Sequence, residues 1–287
     1  MTLSVIVPAY NAQDTLADLL DSLTKQIFHD FEVIIVDDCS TDKTADLIEA
    51  SPFKLIKLSV NKGPAFCRNV GAQQSHGDLI VFTDSDCTVD RQWLGKIKNY
   101  FDQNDFDALM GRLFLRPSSY LGDSISALGF PAGGSLGFEK VWKVDDNGYT
   151  NTLSSCNCAI RREVFDDVGG FDDSFPYAGG EDTFFAYSLN IKGYKIKYCP
   201  DVIAIHEARD SLKGFIKWQF QRGISGYIFS KMVDQKSRFL STRLWAMSNV
   251  IRYNMLNRKI PLIVVLMVMS VFFQVAGAFS VKLKDKK

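Results

Sequence analysis

The chain has 287 residues, of which 46% are hydrophobic and 23% are charged, with 33 basic residues against 33 acidic residues. This length and composition predict one large folded domain with a short appendage and exclude wholesale disorder. A formal net charge of zero gives no support to nucleic-acid binding, which is typically marked by an excess of basic residues.

Short apolar runs alternate with helical patterns through the first hundred residues. Strands are predicted at residues 3–7, 32–36, 54–58 and 79–82, and helices at residues 14–26, 42–50 and 64–74. Such alternation, with continuous Val and Ile runs, predicts an α/β fold in which a mainly parallel sheet is flanked by helices.

The pattern loosens between residues 117 and 152, where glycines are frequent. This stretch is either a mobile substrate loop or an irregular connection. Order returns at residues 155–161, followed by a helix at 181–191 and one or two strands at 195–205. Residues 211–233 and 239–257 are predicted to form amphipathic helices.

Residues 260–281 contain no charged side chain. The run is long enough to cross a bilayer core, which takes about 20 residues. Residues 238–287 carry nine basic side chains against one acidic side chain, a charge pattern that suits an anionic lipid surface. We predict a transmembrane helix at 260–281, with a basic amphipathic membrane-proximal helix at 234–259 and a basic tail at 282–287. A buried core helix and an in-plane or re-entrant helix are the alternatives.

Polar residues cluster just after the predicted strands, where open α/β sheets bind ligands. Asn11 lies after the first strand, Asp38 after the second, and Asp84 and Asp86 after the fourth. Two carboxylates in an Asp-x-Asp pattern suit a hard cation such as Mg²⁺ or Mn²⁺, which can bridge a diphosphate. The pattern is also common in turns, but its place beside the other polar clusters favours a metal site.

Four further residues have both a functional and a structural interpretation. Asp182, at the start of the helix at 181–191, is either a general base or a partner of the helix dipole. His206 completes the metal shell, contacts phosphate or is structural. Arg68 pairs with phosphate or braces an aspartate, while Gly63 permits close backbone approach.

Five motifs occur in order along the chain. They are SVIVPAYN at 4–11, VDDCSTD at 36–42, NKG at 61–63 with RNVG at 68–71, TDSD at 83–86, and GGED at 179–182. Together they resemble family 2 glycosyltransferases, the inverting group with the GT-A nucleotide-sugar-binding fold. The resemblance covers residues 2–226.

The resemblance implies a metal-dependent enzyme that moves a sugar from a nucleotide-sugar donor, most commonly a UDP sugar, to an acceptor hydroxyl with inversion. It implies that Asp182 is the catalytic base. The metal, Mg²⁺ or Mn²⁺, is assigned to Asp84 and Asp86, and the residue-based argument adds His206. The residues expected to bind the donor are Pro8, Tyr10, Asn11, Asp38, Lys62, Gly63, Arg68, Asp84, Ser85 and Glu181.

One departure from the family pattern bears on the product. Processive members carry Gln-x-x-Arg-Trp after the base, whereas this chain has Gln219 and Arg222 followed by Gly223. We therefore expect transfer of a single sugar. The apolar, basic end of the chain predicts attachment to the membrane and an acceptor glycan that is lipid-linked or membrane-associated.

The catalytic domain, residues 1–233, is expected in the cytoplasm, where nucleotide sugars are made. The six scattered cysteines lack the spacing of a zinc knuckle or redox pair, and we interpret them as reduced and buried.

Other functions fit the sequence less well. A sugar-nucleotide pyrophosphorylase or a dinucleotide dehydrogenase needs a glycine-rich loop after the first strand, and no glycine precedes Gly63. The alternative within the family is a catalytically inactive member that binds nucleotide sugar and acts as a scaffold. Asp84, Asp86 and Asp182 argue against that alternative.

Overall fold

The computed structural model describes residues 1–233 and 236–284. Within these residues, a single mixed sheet forms the centre of the molecule. Its strands are β1 (Leu3–Ala9), β2 (Phe31–Asp37), β3 (Lys54–Lys57), β4 (Leu79–Thr83), β5 (Cys87–Val89), β6 (Ala108–Leu115), β7 (Tyr149–Thr150), β8 (Asn157–Arg161) and β9 (Ile196–His206).

Helices cover the sheet and extend beyond it. They are α1 (Leu16–Thr24), α2 (Thr44–Glu49), α3 (Pro64–Gln73), α4 (Trp93–Gln103), α5 (Tyr120–Ser126), α6 (Phe138–Val141), α7 (Arg162–Val168), α8 (Glu181–Ile191), α9 (Leu212–Met232), α10 (Lys236–Asn254) and α11 (Ile260–Lys284). The segment at 117–152, for which a mobile loop was one alternative, contains α5 and α6 and contributes buried side chains such as Ile125 and Phe138.

The strand order is β3-β2-β1-β4-β8-β6-β9-β5, with β7 pairing on β9. The first four strands are parallel, as the βα alternation predicts. Beyond them the sheet is mixed, because β8 runs antiparallel between β4 and β6, and β5 runs antiparallel to β9. The prediction of a mainly parallel sheet therefore holds for the first half of the fold.

The sheet brings chain segments that are far apart in sequence to one edge. β1, β2 and β4 all end there, and β8 begins there because Asn157 pairs with Thr83. β9 ends at the same edge, where His206 pairs with Cys87. This edge is held by a continuous core: Val5, Ile6 and Val7 are fully buried because helices cover both faces of the sheet.

α11, which contains the predicted transmembrane segment, packs along α9. A side chain at Gly223 would collide with the carbonyl oxygen of Gln274, and one at Gly277 would collide with that of Phe220. The two helix backbones therefore touch, as small residues allow. Residues 234–235 and 285–287, parts of the predicted membrane-proximal segment and basic tail, lie outside the described residues.

Candidate active site

The loop between β3 and α3 is fixed by the buried carboxylate of Asp38. The backbone N–H of Lys62 donates to Oδ1 at 2.7 Å and that of Gly63 donates to Oδ2 at 2.8 Å. Gly63 has φ = 87°, and a side chain on it would approach the Pro176 carbonyl. Asp38, predicted to contact the donor, thus holds the loop that faces the segment before α8.

The loops after β1 and β2 are tied together by Asn11. Its side-chain oxygen accepts from the backbone N–H of Thr41 at 2.9 Å, and its own N–H donates to Oγ of Ser40 at 2.9 Å. Tyr10 beside it is 52% exposed, so its ring is available to stack on a planar ligand. Pro8 lies half-buried at the end of the same strand.

Arg68 of α3 connects two of the predicted site segments. Its side chain is only 2% exposed, and its guanidinium donates to Asp84 Oδ1 at 2.7 Å and to Glu181 Oε1 at 3.1 Å. The ring of Phe171 lies 5.4 Å from the guanidinium carbon. This ion triad, which is buried at Arg68 and Glu181 and half-buried at Asp84, holds the Asp-x-Asp turn against the start of α8.

Two residues that are predicted to bind the donor have protein partners in this arrangement. Glu181 is buried, and its second oxygen accepts from the backbone N–H groups of Gly179 and Gly180 at 2.7 and 3.0 Å. Both oxygens of the Glu181 carboxylate are therefore engaged by the protein. Of the two roles considered for Arg68, the structure shows the bracing of an aspartate, because two of its guanidinium nitrogens bind carboxylates.

The remaining predicted donor residues lie around this triad. Lys62 is exposed, with its ammonium 6.0 Å from the centre of the Phe66 ring. Ser85 is half-buried between Asp84 and Asp86.

The predicted metal ligands come together at the end of β4. Side-chain ligand atoms of Asp84, Cys156 and His206 lie within 4.8 Å of one another, and so do those of Asp86, Cys87 and His206. His206 Nε2 lies 3.4 Å from Asp86 Oδ1, while Nδ1 lies 2.7 Å from the carbonyl oxygen of Glu207. Because a carbonyl oxygen can only accept, Nδ1 donates to Glu207, and Nε2 is the ring nitrogen that faces Asp86.

Asp84 is engaged by protein partners on both oxygens. Oδ1 accepts from Arg68, and Oδ2 accepts from the Cys156 thiol at 3.1 Å. Burial raises the pKa of Asp84, but Arg68, His206 and the Cys156 hydrogen bond together hold that pKa below its ordinary value. Burial and the neighbouring Asp84 charge keep the pKa of Cys156 well above its ordinary value, so the thiol remains a donor.

The sequence predicts Cys156 only to be a small buried residue, and this contact with Asp84 adds to that prediction. Within residues 1–233 the six cysteines are free, as predicted. The available signal was the place of Cys156 directly before β8, which begins at the same edge as the polar clusters.

Asp182 follows Glu181 in the first turn of α8 and is half-buried. Its Oδ1 accepts from the backbone N–H of Thr183 at 2.7 Å. Burial, and then the charge of Glu181, raises the pKa of Asp182 to about 7. A carboxylate with this pKa can accept a proton near neutral pH and release it again, as a general base must.

Comparison with protein families gives a match over residues 4–169, more than half of the chain, to the model described as Glycosyl transferase family 2. The match includes Asp38, Arg68, Asp84 and Asp86 and ends before Asp182.

Two known proteins illustrate the similarity. Poly(ribitol-phosphate) beta-N-acetylglucosaminyltransferase TarS of Staphylococcus aureus is 39% identical over 117 residues, which are 38% of this chain. The match spans only 20% of the length of TarS. Glycosyltransferase AglE of Haloferax volcanii is 26% identical over 256 residues, which cover 84% of this chain and 79% of AglE.

Two solved structures share the architecture. S. aureus TarS 1-349 in complex with UDP-GlcNAc has a TM-score of 0.60 at 20% identity, covering 99% of this chain and 92% of that one. Mannosyltransferase PcManGT from Pyrobaculum calidifontis, in complex with GDP-Man and Mn²⁺, has a TM-score of 0.63 at 18% identity, covering 99% and 88%. These likenesses confirm the predicted GT-A fold.

Proposed function

The chain belongs to glycosyl transferase family 2, and from that premise we propose that it transfers a single sugar from a nucleotide-sugar donor to a hydroxyl of a membrane-associated or lipid-linked glycan, with inversion. The observation that supports this proposal is the Arg68 triad, which ties Asp84 of the Asp-x-Asp turn to Glu181, the residue directly before the base candidate Asp182. A base and a metal site at one edge suit a direct displacement.

In the proposed reaction, Asp182 accepts the proton of the acceptor hydroxyl as its oxygen bonds to the anomeric carbon of the donor sugar. The bond from that carbon to the diphosphate breaks at the same time, so the configuration inverts and the nucleoside diphosphate leaves. Proton transfer of this kind contributes about 10²–10⁴-fold to a rate. A direct displacement of this kind needs one base and requires no covalent intermediate.

The residues at this edge fit a divalent cation. Asp86 and His206 Nε2 are the ligands we propose, with Asp84 contributing through its charge because both of its oxygens are already engaged. Carboxylate oxygen with imidazole nitrogen suits Mn²⁺ better than Mg²⁺, which prefers oxygen ligands. When bound, such a cation supplies neutralisation of the charge that develops on the departing diphosphate.

Electrostatics support the need for that cation. The edge presents Asp84, Asp86 and Asp182, while the charge of Arg68 is already shared between two carboxylates. An anionic diphosphate placed against these carboxylates is repelled unless a cation lies between them. We therefore propose that donor binding depends on the metal, and that UDP is the nucleotide, by analogy with the UDP-GlcNAc held by TarS.

Calorimetric titration with UDP, GDP and dTDP, each with and without Mn²⁺, tests the proposal directly. We expect UDP to bind only when Mn²⁺ is present. Asp86→Ala and His206→Ala should each weaken this binding by more than the roughly 10–100-fold that loss of an outer-shell partner costs a metal site. The exposed His76→Ala is the matched control and should bind like the unchanged protein.

Equal binding with and without Mn²⁺ would contradict the metal role. Failure of a folded sample to bind any nucleotide would contradict the transferase proposal itself. Nucleotide binding without hydrolysis or transfer, across a panel of donors and acceptors, would instead favour the inactive scaffold.

The raised pKa of Asp182 predicts the pH profile. The base must be ionised, so kcat/KM should fall by about tenfold per pH unit below its pKa of about 7 and become level above it. The profile should be measured for transfer once a donor is identified. Mn²⁺-dependent UDP binding over the same pH range is the control, because it reports titration of the metal ligands separately. A profile that is level from pH 5.5 to pH 8 would remove Asp182 as the base.

A further inference from the structure

The outer face of α11 is a continuous apolar stripe. Phe272 is 66% exposed and Val268 is 64% exposed, although both are large hydrophobic side chains. At 3.6 residues per turn, the exposed apolar positions of this helix fall within an arc of about 120°. The members of the stripe are Val264, Val265, Val268, Val271, Phe272, Val275, Phe279 and Leu283.

The opposite face of α11 is committed to α9. Gln219 of α9 accepts from Ser270 and Gln274 of α11, both at 2.8 Å. Gly223, which touches the α11 backbone, lies one turn after Gln219 on α9. Gly277, which touches the α9 backbone, lies two turns after Ser270 on α11. Residues later in α9 contact residues later in α11. The two helices therefore run parallel over most of their length.

α9 in turn belongs to the catalytic domain. Ser225 lies against Gly180, directly before the α8 turn that carries Asp182, and a side chain on Gly180 would come within 2.6 Å of it. Phe229 packs with Phe175 in the same region. Movement of α9 into a bilayer would therefore pull apart the residues around the base.

The charges of α9 oppose such a movement. Lys213, Lys217 and Lys231 are exposed on it, and each ammonium at the centre of a bilayer costs about 2.5–3.5 kcal/mol or more. Gln219 of α9 meets Ser270 and Gln274 near the middle of α11, so Lys213 and Lys217, which precede Gln219 by six and two residues, lie beside the middle part of that helix. A crossing by α11 at right angles to the membrane would carry these two lysines into the hydrocarbon, because the two helices touch along their backbones.

We propose that α11 lies in the plane of an anionic membrane surface, with the apolar stripe in the acyl boundary, and does not cross the bilayer. Lipid is the occupant that matches the charges at both ends of the stripe. Arg258 is exposed before α11. At the other end, Lys231 and Lys282 line a groove of about 490 Å³ together with Tyr227, Ser230 and Phe279.

This groove matches the chemistry of an anionic headgroup. Its two ammonium groups are suited to a lipid phosphate, and its aromatic and aliphatic walls are suited to the upper part of an acyl chain. The arrangement is independent of the transfer chemistry. It orients α9, and therefore the turn at Gly180, towards the surface where a membrane-borne acceptor would be found.

Topology is tested on the full chain in sealed membranes with the catalytic domain outward, in a Cys39→Ser background that removes the half-buried cysteine. Arg258→Cys and Lys287→Cys place reporters before and after α11, and Gln103→Cys marks the catalytic domain. We expect a membrane-impermeant maleimide to label all three from the same side. Labelling of Lys287→Cys only after the membranes are opened would show a crossing and overturn the proposal.

Binding to vesicles tests the stripe and the lysines. Phe272→Asp should weaken binding of the full chain to anionic vesicles by roughly tenfold or more, whereas Ile191→Asp, an equally exposed apolar position at the end of α8, should not. Lys231→Glu with Lys282→Glu should weaken binding to anionic vesicles and leave binding to neutral vesicles unchanged.

Two outcomes would contradict lipid as the occupant. One is vesicle binding that is unaffected by Phe272→Asp. The other is a dimer of the lipid-free chain that Phe272→Asp converts to a monomer, because the stripe would then be covered by a second copy. UDP binding by each variant reports that the catalytic domain remains folded, so a failed docking proposal is distinguishable from a failed enzyme proposal.

Discussion

Asp182→Asn is expected to lower the rate of sugar transfer by about 10²–10⁴-fold, because the amide cannot accept the proton of the acceptor hydroxyl. The substitution preserves the shape of the side chain, and Arg68, Asp84 and Glu181 keep their mutual contacts. Mn²⁺-dependent UDP binding should therefore be nearly unchanged. Single-turnover transfer together with UDP titration separates these two effects.

The stability of the same variant provides an independent check with a definite sign. The pKa of Asp182 in the folded protein, about 7, lies above the ordinary value of 3.8, so ionising this carboxylate destabilises the fold. The cost is absent below the ordinary value and fully present above pH 7. Asp182→Asn should therefore be at least as stable as the unchanged protein at pH 8. Asp105→Asn, at an exposed position, is the control for this stability measurement. Unchanged turnover in Asp182→Asn would exclude Asp182 as the base.

Arg68→Met is expected to lower the free energy of unfolding by about 3–5 kcal/mol, because it leaves Asp84 and Glu181 without their shared cation in a desolvated setting. The variant should also lose Mn²⁺-dependent UDP binding, since the Asp-x-Asp turn is no longer held against α8. Urea denaturation of the variant beside the exposed Arg91→Met measures the effect.

The pH dependence distinguishes loss of the ion triad from loss of packing. Arg68 holds the pKa of Asp84 below its ordinary value, so this part of the stability is present at neutral pH and disappears as the pH falls through the lowered pKa. The difference between Arg68→Met and the unchanged protein should shrink in acid. A difference that is equal at neutral and acidic pH would assign the effect to packing alone. Arg68→Lys keeps the charge but cannot bind two carboxylates in the same way, so its stability at neutral pH should lie between those of Arg68→Met and the unchanged protein.

The sequence reveals the parts of this fold that depend on local pattern. The first four strands and the helix at 181–191 follow from short-range periodicity, and the family follows from motifs at strand ends. Asp84 and Asp86 can be predicted as a candidate metal site because the carboxyl ends of parallel strands lie at one edge of the sheet.

The parts that escape prediction depend on contacts between distant segments. Glu181 resembles a ligand-facing acid at a helix start, but its burial results from the approach of Arg68, 113 positions earlier in the chain. The role of Cys156 likewise depends on β8 running antiparallel beside β4. The face of α11 that packs on α9 cannot be predicted from its uncharged sequence, because Ser270 and Gln274 donate to Gln219, which lies 51 and 55 residues earlier in the chain.

The contact between Gly223 and Gln274 also limits which side chains position 223 can accept. Processive members of the family carry a tryptophan where this chain has Gly223, and here even a methyl group at that position would lie 2.0 Å from the Gln274 carbonyl oxygen. The family tryptophan and a docked α11 therefore exclude each other. We therefore expect Gly223→Trp to displace α11 from α9, and with it the apolar stripe that we propose as the lipid-facing surface.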